Sequence, residues 1–286
     1  MSTENDPMTP ESQKSPESNV PSLPTQGAER EKDREKESIG EVARSGLIAI
    51  LLAMIVRTFL FEPFNIPSSS MVPNLLVGDY LFISKYSYGY SRYSFPFGIA
   101  GFDGRINGKP PNRGDVIVFK LPTNPNIDYI KRLVGMPGDT IQMINGRLYI
   151  NGEIVPREPK GMVEYTKENG MTNKVMEYTE TLPGGTRHTI YEESDQGPLD
   201  NTEKYTVPEN HYFMMGDNRD NSQDSRVTKV VGYVPYDNLE GRAEFLFFST
   251  DGSAGLFEFW KWPSAIRFSR IFNAIGHGHT PSEVRK

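Results

Sequence analysis

The sequence predicts a mainly β protein: a β-rich core, interrupted by an insertion, that follows a single N-terminal transmembrane helix. Three observations carry this. Short runs rich in Val, Ile, Tyr and Phe, bounded by turn residues, recur along the chain as DYLFIS, DVIVFKL, DYIKRLV, TIQMI, RLYI, HYFMM and AEFLFF. Within QMINGRLYINGEIV, Asn145-Gly146 and Asn151-Gly152 are two-residue hairpin signals, because a type I′ turn needs positive φ at both central positions, and together they predict a meander. One apolar stretch, SGLIAILLAMIVRTFLFEPF, stands near the N-terminus after a long polar segment.

In chain order, residues 1–40 are Pro, Ser, Glu and Lys with almost no large apolar side chains. Such a segment buries too little surface to offset the entropy of ordering, so it reads as a disordered tail. Residues 41–62 read as the anchor. Gly46 to Val56 is uncharged and Thr58 to Phe61 continues the run past Arg57, whose stem can snorkel to the headgroups. A cleavable signal needs small residues after its apolar core; here Thr58, Phe59, Leu60, Phe61, Glu62 and Pro63 follow instead. Orientation follows from Arg30, Lys32, Arg34, Lys36 and Arg44 before the run, against no Lys or Arg between Arg57 and Lys85 after it. The tail is therefore expected in the cytoplasm and the remainder outside.

The core is expected in two parts, residues 63–155 and 205–250, around a polar, irregular insertion at 156–204. The last segment, 251–286, carries Trp260 and Trp262, then Phe268, Ile271, Phe272 and Ile275 at helical spacing. That stripe predicts an amphipathic element, lying on lipid or packed on the core.

Composition excludes several functions. At 286 residues, with 36% hydrophobic and 11% aromatic side chains, the chain can bury a real core, and a net charge of -6 does not suit a nucleic-acid surface. The absence of cysteine removes disulfides, thiolate nucleophiles and cysteine-based zinc sites.

Three segments can hold chemistry. PSSSMVP places Ser68, Ser69 and Ser70 between prolines. DYIKRLV puts Lys131 and Arg132 inside an apolar strand pattern, on opposite faces by the period of two. MGDNRDNSQDSR, residues 215–226, is dense in polar groups directly after an apolar strand. Arginine keeps its proton in proteins, whereas a lysine in apolar surroundings can lose it. Starting near 10.4, its pKa must fall by roughly 2 to 3 units to make it a base near neutrality, about 3 to 4 kcal/mol of penalty on the charged form, which burial can supply. The four histidines, His188, His211, His277 and His279, lack the setting of a triad base. A serine hydroxyl with a neutral lysine amine is an alternative pair. The third segment fails a calcium-loop template, because Ser225 stands where the loop needs Gly and Val231 where it needs Glu. No metal and no cofactor is expected.

In this order after an N-terminal anchor, the segments resemble those of the bacterial type I signal peptidases (leader peptidases), membrane serine proteases that remove signal peptides. PSSSMVPNLLVGD is similar to that family's serine box, RGDVIVFK with DYIKRLVGMPGD to its lysine box, and GDNRDNSQDSR to its last box; Asn74 stands where the family often has Thr. The resemblance implies Ser70 as nucleophile and Lys131 as general base. It implies Ser68 as an oxyanion donor beside the Ser70 N–H, Ser222 as the residue orienting the lysine amine, and Asp224 with Arg226 as a supporting pair. Met71 is expected to face the membrane or the substrate. The fold implied is a signal-peptidase/LexA-like β-rich catalytic core with an inserted second β subdomain. The implied partners are signal peptides cut after Ala-x-Ala and membrane lipid, in a bacterial inner membrane with the catalytic domain on the periplasmic side. Two alternatives stand beside this reading: a self-cleaving LexA-type serine–lysine protease, and an exported binding domain without chemistry.

Overall fold

The computed structural model describes residues 26–95, 102–167, 170–255 and 257–276, with side chains from residue 40 onward. The chain divides into two units, Met1–Leu51 and Leu52–Lys286. A single long helix, α1 (Gln26–Phe59), begins well inside the segment expected to be a tail. There the sequence alternates acid and base three residues apart, as in Glu29 with Lys32 and Arg30 with Asp33, a spacing that favours a helix. Residues 1–25 of the expected tail lie outside the described residues. From Gly40 to Phe59 the helix is long and apolar enough to cross a membrane. Leu47, Ile50, Leu52 and Ile55 all remain exposed around it, as suits a helix solvated by lipid on every side.

The strands that follow are β1 (Phe61–Asn65), β2 (Asp79–Ser84), β3 (Val116–Leu121), β4 (Asn124–Gly135), β5 (Thr140–Ile144), β6 (Arg147–Ile150), β7 (Glu153–Ile154), β8 (Arg157–Thr166), β9 (Thr172–Thr181), β10 (Arg187–Glu192), β11 (Tyr205–Thr206), β12 (His211–Met215), β13 (Val234–Pro235) and β14 (Leu239–Ser249). Their named pairings are all antiparallel. Seven form the main sheet in the order β1-β2-β14-β3-β4-β12-β13; β10-β9-β8 form a second sheet and β11-β5-β6-β7 a third. The predicted meander is β5-β6-β7, turning at Asn145 (φ 47) and Gly146 (φ 66), then at Asn151 (φ 55) and Gly152 (φ 83).

The main sheet is covered on both faces. Leu81, Ile83, Val116, Val118 and Ile130 pack on one side with Ile66, Met71 and Leu75; Ile117, Phe119, Leu133 and Met214 pack on the other. Met71 is fully buried in the first cluster, so the expectation that it faces membrane or substrate is corrected. Its side chain is the apolar plug that fixes the serine turn to the core.

The stretch 156–204, irregular by residue pattern but expected from the resemblance to be a second β subdomain, contains the three-stranded sheet. Its strands were hard to see because β8 alternates exposed and half-buried positions and offers few branched residues. The C-terminal stripe is not a continuous helix either. One turn forms at Trp262–Ala265, Phe272 adopts a positive φ of 66° that breaks a helical path, and the segment runs back along β14 through the bridges Thr250 to Ile266 and Phe245 to Ala274. Ile275 alone of the stripe enters the core, while Phe268 and Phe272 stay exposed with Phe257, Phe259 and Trp260. His277 and His279 lie outside the described residues.

Candidate active site

The serine turn is built by apolar residues at its ends. Ile66 closes the exit from β1, Met71 and Leu75 are buried beyond it, and the Leu75 N–H donates to the Met71 carbonyl (2.9 Å). Between them Ser69–Met71 forms one 3-10 turn capped by Ser68 in extended conformation. The turn presents Ser70, 7% exposed, to a cleft of about 370 Å³ walled by Phe64, Pro67, Ile127, Tyr129 and Ile130.

Lys131 reaches the same point from the centre of the sheet. Its Nζ lies 2.7 Å from Ser70 Oγ and 2.9 Å from the Ile130 carbonyl, over the Tyr129 ring at 5.1 Å. Among the described residues the amine has no ion-pair partner. Burial therefore dominates and brings its pKa down to about 8, while the carboxylates of Asp224 and Asp217 pull weakly the other way. Ser68 Oγ lies 3.3 Å from Ser70 Oγ, on the exposed side of the turn, where a donor can meet an oxyanion.

The last polar segment folds as a loop beneath these two residues. Asp224 receives the Gly216 N–H (3.0 Å) and pairs through both oxygens with Arg226, at 2.9 Å each, and Arg226 also donates to the Arg219 carbonyl (2.6 Å). Arg226 holds Asp224 ionised despite burial, below the usual carboxylate range. The pair thus fixes the loop and sets a negative charge near the lysine without touching it. Ser222 is buried against Gly216, which has no room for a Cβ beside the Ser222 hydroxyl, but its Oγ makes no hydrogen bond to the Lys131 amine. The Lys131 amine donates to the Ile130 carbonyl at 2.9 Å.

Several contacts of the site lie outside the sequence-based expectations. Asp217 takes two charge-assisted bonds of 2.7 Å from Arg132, and Asn74 Nδ2 donates to the same carboxylate at 2.7 Å and to the Thr189 carbonyl at 2.7 Å. Asn74 thereby links the serine loop, the lysine strand's other face and β10. Asn218 and Asn221 contact Ser69. Their signal was present, two amides in a segment already dense in polar groups, but no spacing rule said which atoms they would meet. His188 is buried beside Glu180 (3.4 Å) and Asp217 (3.8 Å), with burial pushing its pKa down, and serves that cluster. Glu192, Asp200 and Asp220 converge elsewhere in the same region, and burial raises Glu192 to about 9, so its carboxyl carries a proton at neutral pH.

A serine hydroxyl 2.7 Å from a desolvated lysine amine that has no ion-pair partner among the described residues, inside a β-rich core, is an arrangement able to activate a serine nucleophile. The family model described as "Signal peptidase, peptidase S26" matches residues 39–248. A "Signal peptidase I" of Rickettsia typhi is 38% identical over 263 residues, 86% of this chain and 97% of that protein. Another from Rickettsia prowazekii is 39% identical over 259 residues, covering 84% and 94%. A solved signal peptidase I of Enterococcus faecalis is 30% identical and covers 47% of this chain and 97% of its own, with a TM-score of 0.27. The chain belongs to the signal peptidase family, peptidase S26.

Proposed function

We propose that the protein is a membrane-anchored signal peptidase I, a serine endopeptidase that removes N-terminal signal peptides by a Ser70–Lys131 dyad. The observation that carries the reading is the 2.7 Å separation of Lys131 Nζ from Ser70 Oγ at an amine with no ion-pair partner among the described residues. The neutral amine accepts the hydroxyl proton as Oγ attacks the scissile carbonyl, then gives it to the leaving amine; water, deprotonated by the same amine, releases the acyl group. Ser68 Oγ and the Ser70 N–H are the donors for the oxyanion. Asp224 and Arg226 hold the loop that backs the dyad, and Ser222 packs under it.

The substrate is an extended peptide. β1 is the outermost strand of its sheet and ends at the serine turn, so a chain entering the cleft can add along that edge. Its side chains then meet Phe64, Pro67, Ile127 and Ile130, walls that leave room for alanine and exclude bulk, in keeping with an Ala-x-Ala preference. The basic residues ahead of the apolar run, Arg30, Lys32, Arg34, Lys36 and Arg44, support a cytoplasmic N-terminus and a catalytic domain on the periplasmic face of the inner membrane. The exposed Phe257, Phe259 and Trp260 are side chains suited to contact with lipid. The core is residues 63–155 with 205–250, and 156–204 is an inserted subdomain. A LexA-type repressor needs a soluble DNA-binding segment where this chain has an apolar helix. A binding domain without chemistry gives no reason to bury a lysine that has no counter-ion among the described residues.

Pre-protein cleavage by the full chain in detergent tests the reading. Ser70→Ala and Lys131→Ala should each lower the rate by about 10⁴-fold or more with the circular dichroism spectrum unchanged. Full cleavage by either folded variant rejects the dyad.

A further inference from the structure

The inserted sheet reaches the nucleophile through one hydroxyl. Tyr165, at the end of β8, accepts hydrogen bonds at its Oη from Asn218 Nδ2 (3.0 Å) and Asn221 Nδ2 (3.1 Å). Each amide spends its second N–H on Ser69: Asn218 on the backbone carbonyl (3.1 Å), Asn221 on the side-chain Oγ (2.6 Å). The backbone N–H of Asn218 donates to the Ser70 carbonyl (3.1 Å). Asn218 therefore grips the chain on both sides of Ser70. The orientation of its amide is not ambiguous, because a carbonyl oxygen can only face the NH₂ end.

The Ser69 carbonyl belongs to the peptide unit whose N–H is that of Ser70. A peptide is planar and trans, so fixing the direction of the carbonyl fixes the N–H, which points the opposite way. Donation to the carbonyl also polarises the unit and strengthens its N–H as a donor. Apolar contacts keep Tyr165 in place: with Val163 it packs on the cluster of Val72, Val175 and Tyr191, and its ring lies 5.9 Å from that of Tyr191. Tyr165 is absent from the lining of the substrate cleft, so contact with substrate does not account for it.

We propose that Tyr165 is a positioning residue for the reaction, locking Asn218 and Asn221 so that the Ser69–Ser70 peptide aims its N–H at the oxyanion. The inserted sheet is then part of the catalytic apparatus. This rests on the reading of Ser70 as nucleophile.

The test is steady-state cleavage of a pre-protein by the full chain in detergent. Tyr165→Phe keeps the ring and removes only the hydroxyl. It should lower kcat by about tenfold, a fraction of the loss from deleting an oxyanion donor outright, with KM, melting temperature and the acid limb of the pH profile unchanged. Asn218→Ala should cost at least as much, and the double variant no more than Asn218→Ala alone, because both act on one peptide unit. Met162→Ala, exposed on the same strand, should keep wild-type kinetics. Wild-type kcat in Tyr165→Phe, a loss confined to melting temperature or KM, or additive losses in the double variant would each overturn the inference. Ser70→Ala in the same assay separates the failures: an inactive Ser70→Ala beside a fully active Tyr165→Phe refutes only the positioning role, whereas an active Ser70→Ala removes the nucleophile itself.

Discussion

Lys131 and Arg132 are consecutive residues of one strand, each 3% exposed, and they live in opposite electrostatic conditions. Arg132 turns to the face where Asp217 waits with both oxygens at 2.7 Å, and the Gly114 carbonyl accepts a further bond at 2.8 Å. Lys131 turns to the face of the serine turn, where its partners are a neutral hydroxyl and a carbonyl. Burial is the same; the counter-ion is not. A buried cation with a matched carboxylate is a structural tie, and one without is suited to act as a base. The choice of residue agrees, since guanidinium fits a carboxylate in bidentate fashion and keeps its proton, whereas an amine can release it.

The sharpest way to break the comparison is to take away the counter-ion. Asp217→Asn leaves Arg132 charged, buried and facing a neutral amide, and should destabilise the fold by about 3 to 5 kcal/mol. Denaturant unfolding measures it, and a loss below about 1 kcal/mol would mean that water already reaches the guanidinium. Asp217 is ionised in spite of its burial because Arg132 holds its pKa down, so the pair is charged on both sides at neutral pH.

The contrast was only partly legible in the sequence. Ser70 and Lys131 stood out because three long, ordered segments agreed on complementary chemistry. The period of two put Lys131 and Arg132 on opposite faces but did not say that both faces are buried; that follows from β4 lying between β3 and β12 in a sheet covered on either side. The Asp217 partnership was invisible, since it joins residues 85 apart in sequence. The inserted β subdomain was legible only through the resemblance, because β8, with alternating exposed and half-buried positions, carries a weak strand pattern of its own. The C-terminal spacing misled because helical periodicity in Phe268, Ile271, Phe272 and Ile275 is also met by a segment of short turns that buries only Ile275 of the four.

The second prediction reverses the first. Lys131 pays for its neutrality in stability: its pKa is lowered from 10.5 to about 8, a cost of the order of 3 kcal/mol whenever the folded protein must carry the proton. Below pH 8 both the folded and unfolded chains bind that proton, so the full cost is present. Between 8 and 10.5 the folded chain has released it while the unfolded chain has not, and the cost fades as pH rises. Lys131→Met should therefore raise the unfolding free energy by about 3 kcal/mol at pH 7 and by progressively less toward pH 10. An unchanged or lower stability at pH 7 would show the amine already solvated.

The smallest effect is the most direct reading of the base. Only the neutral amine can accept the Ser70 proton, so kcat/KM should climb about tenfold per pH unit on the acid side and level off above the amine's pKa near 8. At pH 7 about one tenth of the molecules are then competent. The charges that resist deprotonation of Lys131 are the carboxylates of Asp224 and Asp217, each tied to an arginine, and these ties temper their pull. A limb near 10.5 would place the amine in water, whereas a flat profile from pH 6 to 9 would assign the proton to another group. A limb near 8 that disappears in Lys131→Ala, together with the activity, ties the titration to this one side chain and separates it from the arginine next to it.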